Sequence, residues 1–171
     1  MSLFKFSFRL LAGILLISAG MTGCGYHLRG SVDMPEAMKN VYIFGASSQL
    51  QNQMQSIVRA SKGKIVGSPN DAGVVIKVLK EDMRRRTLSI GSTGKSNESE
   101  LEYYLRFQMY DNQEKPLMEE QTIEMSREFF NDQTAILAKT NEEQLIRSEM
   151  YKQVARMLLA RARIAVDNQK K

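Results

Sequence analysis

The chain has 171 residues, 24 basic against 19 acidic side chains for a formal net charge of +5, and a single histidine and a single cysteine. That length holds one domain with a sizeable core and not two full domains, and the charge excess is too small by itself to indicate nucleic-acid binding. One histidine, His27, and one cysteine, Cys24, cannot supply a catalytic triad or a histidine-containing metal cluster. No particular pair of carboxylates stands out for acid–base work either, so neither enzymatic activity nor a cofactor is expected.

The first element is a leader. Lys5 and Arg9 form a short basic region, Leu10 to Ala19 is almost unbroken apolar sequence, and Gly20, Met21, Thr22 and Gly23 lead into Cys24. This is the order of a secretory signal, and the apolar run is too short to cross about 30 Å of hydrocarbon. Met21-Thr22-Gly23-Cys24 resembles a bacterial lipobox, in which the cysteine thiol receives a diacylglycerol and its freed amine a further acyl chain. Each buried methylene of such chains contributes about 0.8 kcal/mol of anchoring. Gly25 stands where an Asp would be expected in an inner-membrane lipoprotein, which resembles the pattern sorted to the outer membrane. Removing residues 1–23 takes Lys5 and Arg9 with it and lowers the net charge from +5 to +3. The domain plan is a cleaved signal over 1–23, a lipidated spacer over 24–39, a single domain over 40–167 and a polar tail over 168–171.

Within the domain, Asn40–Phe44 has a β-rich centre and reads as a strand. Ser47 or Ser48 caps a helix whose Leu50, Met54, Ile57 and Val58 share one face. Gly63, Gly67 and Pro69 break the chain, and Val74–Leu79 reads as an inner strand from its β-branched density. Leu101, Tyr103, Leu105, Phe107 and Met109 form the dry side of a strand whose other side carries Glu102, Tyr104, Arg106, Gln108 and Tyr110. After the turn at Asp111–Pro116, Ile123, Met125, Arg127 and Phe129 alternate with Thr122, Glu124, Ser126 and Glu128, completing an antiparallel hairpin. Asn141 and Gln144 resemble a capping box opening a helix with Ile146, Met150, Val154, Leu158, Ala162 and Ala165 in one stripe. The pattern predicts an α+β fold, two helices packed on one face of a four-stranded, mostly antiparallel sheet, in the order β-α-β-β-β-α.

Gly91-Ser92-Thr93-Gly94-Lys95-Ser96 looks like the end of a phosphate-binding loop, but Ser89 stands where that loop needs its first glycine. The residues that follow alternate as a strand rather than opening a helix, so the segment reads as a loop between strands. Arg84, Arg85 and Arg86 come off the end of the preceding strand. Their bland reading is solvated edge charge that discourages edge pairing; the functional one is a cationic rim for phosphates. Lys139 stands just before the last helix, at the wrong end to complement its dipole, which makes it a candidate binding residue.

Cys24-Gly25-Tyr26-His27-Leu28-Arg29, Arg127-Glu128-Phe129-Phe130-Asn131 and Ala138-Lys139-Thr140-Asn141-Glu142 running into Glu149-Met150-Tyr151 resemble the lipopolysaccharide-assembly lipoprotein family LptE over nearly the whole chain. The resemblance implies a non-enzymatic outer-membrane lipoprotein, anchored through Cys24, that sits inside the large β-barrel LptD in a 1:1 complex, plugs it and assists its assembly. It implies contact with lipopolysaccharide through Lys139 and through a second basic position filled by Lys95 or one of Arg84, Arg85 and Arg86. A barrel lumen is polar, so the expected partner contacts are Tyr103, Tyr104, Arg106, Tyr110, Phe129 and Phe130. The alternative is a generic periplasm-facing lipoprotein that binds an anionic lipid or another protein without plugging anything.

Overall fold

The computed structural model describes residues 34–90, 96–130 and 136–169, without the side chains at 96, 97 and 136–141. The expected signal over 1–23, Cys24, His27 and Lys95 lie outside the described residues.

A 3-10 turn over Glu36–Met38 leads into β1 (Asn40–Phe44). Met38 is buried in the core, so the packed domain takes in the end of the stretch read as spacer. Helix α1 (Ser48–Ala60) follows, with Ser47 as its cap, its Oγ accepting from the Leu50 amide. Next come β2 (Lys64–Ile65), a 3-10 turn over Pro69–Asp71, β3 (Val74–Ile90), β4 (Ser96–Tyr110), β5 (Pro116–Phe130) and α2 (Ile136–Gln169).

The sheet has five strands in the order β2-β1-β3-β4-β5. β1 is parallel to both β2 and β3, while β3–β4 and β4–β5 are antiparallel. The expected four-stranded, mostly antiparallel sheet is therefore corrected to a mixed one. The strand missing from the sequence reading is two residues long and lies between Gly63 and Gly67, too short for any alternation to appear. Gly45, at φ +78°, turns the chain from β1 toward α1, and a side chain there would meet the Val78 carbonyl oxygen at 2.5 Å.

Both helices cover one face. Leu50, Met54 and Val58 of α1 and Met150, Val154, Leu158 and Ala162 of α2 pack with Val41, Ile43, Ile76, Leu101, Leu105 and Phe107 in one core. Each fully buried large side chain contributes about 1.5–3 kcal/mol, enough for this stripe to decide which way α2 faces. The helix begins earlier than expected, at Ile136, so Asn141 is an interior residue and Lys139 lies in the first turn rather than before it. Nothing between Ile136 and Thr140 stops a helix; the segment has no proline or glycine. At the other end α2 runs through Asn168 and Gln169, which read as tail from sequence. The 34 residues of α2 span about 51 Å. The 15–17-residue strands β3 to β5 span about 50 Å, so helix and meander match in length.

Candidate functional site

β3 is the structural key to the site. It does not end near Leu79 but continues as 17 residues, and its register to β4 slips between Val78 and Lys80. The slip reverses which side chains face the helices: Ile76 and Val78 before it, Glu81 and Met83 after it. Arg84, Arg85 and Arg86 therefore lie within β3 rather than past its end: they pair with Glu102, Leu101 and Glu100 of β4 on one side, and because β1 pairs only with Val74–Lys77, among the described residues their other side is an open strand edge, as the edge-charge reading expects.

The three arginines have separate partners. Arg84 Nε pairs with Asp82 at 2.7 Å. Arg86 Nη2 donates to Glu100 Oε2 at 2.6 Å and its Nε lies 3.4 Å from Glu102. The Arg86 hydrogen bond holds the buried Glu100 carboxyl below the usual glutamate range, against the opposing effect of burial, with a further hydrogen bond from Ser126. Arg85 points the other way, onto the helix face. Its Nε and Nη2 donate to Ser99 Oγ at 3.2 and 3.0 Å, its Nη1 reaches Glu143 of α2 at 3.0 Å, and its guanidinium lies 5.4 Å from the Phe129 ring centre.

Glu81 organises the other polar cluster on the helix side. Its Oε2 accepts from the Ser47 amide at 2.7 Å, and its Oε1 accepts from Ser47 Oγ at 2.7 Å and Tyr103 Oη at 2.9 Å. The Tyr151 ring of α2 meets Tyr103 edge-on at 5.4 Å. Burial first, and then the Glu81 charge, push the Tyr103 hydroxyl far above its ordinary pKa, so it stays a neutral donor. This places Tyr103 in the core at 1% exposure, and Phe129 is also buried. Neither is available as a partner contact, contrary to expectation, because both belong to the alternating set that faces the helices.

Among the described residues, no helix lies over the opposite face of the meander. Tyr104, Arg106, Tyr110 and Phe130 all lie there, the last 74% exposed. Lys80 Nζ sits 5.3 Å from the Tyr104 ring centre, Arg106 pairs with Glu120 at 3.2 Å, and the Tyr110 hydroxyl donates to Gln108. A shallow cleft of about 440 Å³ opens between Asp82, Arg84, Glu102, Tyr104 and Glu124. A second, of about 680 Å³, lies toward β1 over Tyr42, Phe44, Lys77 and Tyr110. Sequence alternation assigns the even-numbered residues of β4 to this face; the β3 contribution was hidden because a bulge leaves no signature in composition.

The model of the family described as "LptE: Lipopolysaccharide-assembly" matches residues 36–162. The chain belongs to the LptE family. An LPS-assembly lipoprotein LptE of Pectobacterium atrosepticum is 30% identical over 158 residues, 89% of this chain and 82% of that one. That of Photorhabdus laumondii is 29% identical over 95% of this chain and 87% of its own. Among solved structures, rare lipoprotein B from Shewanella oneidensis is 27% identical with a TM-score of 0.62, covering 77% of this chain and 99% of that one. An uncharacterized lipoprotein B from Nitrosomonas europaea shares the fold at a TM-score of 0.67 and 23% identity, over 84% of this chain and 93% of its own. LptE membership makes the chain a non-enzymatic outer-membrane lipoprotein of lipopolysaccharide assembly, associated with the machinery of that transport.

Proposed function

We propose that this LptE-family lipoprotein plugs an LptD-like β-barrel, one copy to one barrel, assists its assembly and takes part in passing lipopolysaccharide to the outer leaflet. The observation that carries this reading is the face of β3–β5 that no described helix covers, tyrosine-bearing and densely charged, set back to back with a closed core. An antiparallel meander commonly packs one face on its core and leaves a polar face outward, and a polar barrel lumen matches such a face over its length of about 50 Å. Tyr104, Arg106, Tyr110 and Phe130 are the contacts this orientation turns to the wall. Lipid on Cys24 keeps the domain at the inner face of the outer membrane, where it enters the lumen from the periplasm.

The lipopolysaccharide contacts fall to Lys95 and Lys139, in the loop after β3 and the first turn of α2. Arg84, Arg85 and Arg86 already hold Asp82, Glu143, Glu100 and Glu102, so a phosphate would share each guanidinium with a carboxylate. Deleting the protein in its native host is expected to deplete correctly assembled barrel and to impair lipopolysaccharide export, read by non-reducing gels and surface lipopolysaccharide labelling. Normal amounts of mature barrel after deletion would contradict the plug and leave a generic lipoprotein.

A further inference from the structure

The two halves of α2 are held to the sheet by different forces. From Met150 onward the helix buries Met150, Val154, Leu158, Ala162 and Val166 in the core. From Glu142 to Glu149 no side chain is fully buried, and only Glu143, Ile146 and Arg147 are half-buried. A helix that lacks a buried apolar face needs other contacts to keep its place. Glu143 supplies them. Its Oε2 accepts from Arg85 Nη1 of β3 at 3.0 Å, and its Oε1 accepts from Arg147 Nε and Nη2 at 2.9 and 2.7 Å. Each oxygen is engaged by a different arginine, so the carboxylate is fixed in direction as well as in position. Arg85 is in turn fixed on the sheet by its two bonds to Ser99 and by the Phe129 ring. Polar ties of the later half, from Arg127 to Gln153 and from Arg161 to the Thr122 carbonyl, fall where apolar packing already holds the helix.

We infer that Glu143 is a positioning residue: clasped between Arg85 and Arg147, it holds the first turns of α2 on the sheet and thereby sets where Lys139 stands. This rests on the lipopolysaccharide reading of Lys139 above and adds the device that places it. Lys139 lies four residues before Glu143 in the same helix, one turn or about 6 Å along the axis. A rigid turn between them passes the placement of Glu143 on to Lys139, whereas a first half freed from Arg85 leaves only the helix beyond Met150 docked. Glu143 is no ligand contact itself, because a carboxylate repels a phosphate. Its charge and its positioning role therefore act on binding with opposite signs.

The test is hydrogen exchange of the full-length lipoprotein in mild detergent, paired with binding of purified lipopolysaccharide. Glu143→Gln keeps the size of the side chain and removes its charge. Amides of residues 142–149 are expected to exchange about tenfold faster, while those of 154–166 keep the wild-type rate and report on global stability. Lipopolysaccharide binding is expected to weaken about threefold in the variant, and no further when Glu143→Gln is added to Lys139→Ala. Loss of a negative charge beside a phosphate would by itself tighten binding, as expected of Glu142→Gln, which removes the same charge from the exposed neighbour in the same turn. Unchanged exchange at 142–149, or an equal rise at 154–166, overturns the inference. Where Lys139→Ala weakens binding, it is also overturned if Glu143→Gln binds as tightly as the wild type or if the two losses add in the double variant. Should Lys139→Ala bind like the wild type, the reading of Lys139 fails instead, and the exchange pattern alone decides whether Glu143 holds the helix.

Discussion

Tyr103→Ala is expected to destabilise the domain by about 3–5 kcal/mol, while Tyr104→Ala, one residue on, changes stability by about 1 kcal/mol or less. Tyr103 is fully enclosed, packs edge-on against Tyr151 and donates its hydroxyl to Glu81. Its removal leaves a cavity where β3, β4 and α2 meet and takes one of the donors from a carboxylate that also holds the cap of α1. Tyr103→Phe separates the two contributions: it keeps the packing and loses one charge-assisted hydrogen bond, about 1–2 kcal/mol. Tyr104 has Lys80 over its ring, and its loss is expected to show in the proposed barrel complex instead. Urea denaturation of the four proteins, paired with barrel recovery, checks both halves. Equal stability of the Tyr103→Ala and Tyr104→Ala variants would mean that the faces of β4 have been assigned wrongly.

Arg85→Ala is expected to cost about 2 kcal/mol, set by one hydrogen bond to the Glu143 carboxylate, two to the Ser99 hydroxyl and the Phe129 ring, and reduced because a third of the side chain is exposed. Arg84→Ala should cost no more than about 0.5 kcal/mol, since its ion pair with Asp82 is largely in solvent. Three consecutive arginines thus have unequal roles, because the strand aims alternate residues at opposite faces: Arg85 joins β3, β4, β5 and α2, and its neighbours decorate the other side. The same denaturation measurement checks this. A loss of lipopolysaccharide binding on mutating all three arginines together would therefore mix unfolding with recognition, and only the variants in which Arg85 is retained report on the ligand.

Most of the architecture was legible in the sequence because its elements bury a stripe. The α2 stripe through Met150, Val154, Leu158 and Ala162, the α1 face of Leu50, Met54 and Val58, and the alternation of β4 each fix an orientation before any contact is known. What escaped depends on pairing between distant segments. The two-residue β2 exists only because β1 offers it an edge, and β3 runs on through Glu81–Ile90, a polar stretch that has no strand pattern until β4 lies beside it. The bulge at Val78/Lys80 then puts Glu81 under α1 and Arg85 under α2, which no local spacing announces. The site followed the same rule. The tyrosine-bearing side of β4 was readable from its period of two, but Tyr103 and Phe129 were drawn into the contact set by residue type when that same period had already assigned them to the core.

We propose that the face of β3–β5 carrying Tyr104 and Glu124 meets the barrel wall and that Lys95 and Lys139 meet lipopolysaccharide. Photo-crosslinking in intact cells, from a reactive residue placed at 104, 124, 95 or 139 and scored separately for barrel protein and glycolipid, tests it most directly. The predicted result is barrel adducts from 104 and 124 with no glycolipid, and glycolipid adducts from 95 and 139. Glycolipid adducts from 104 and 124, or no barrel adduct from either, would contradict it.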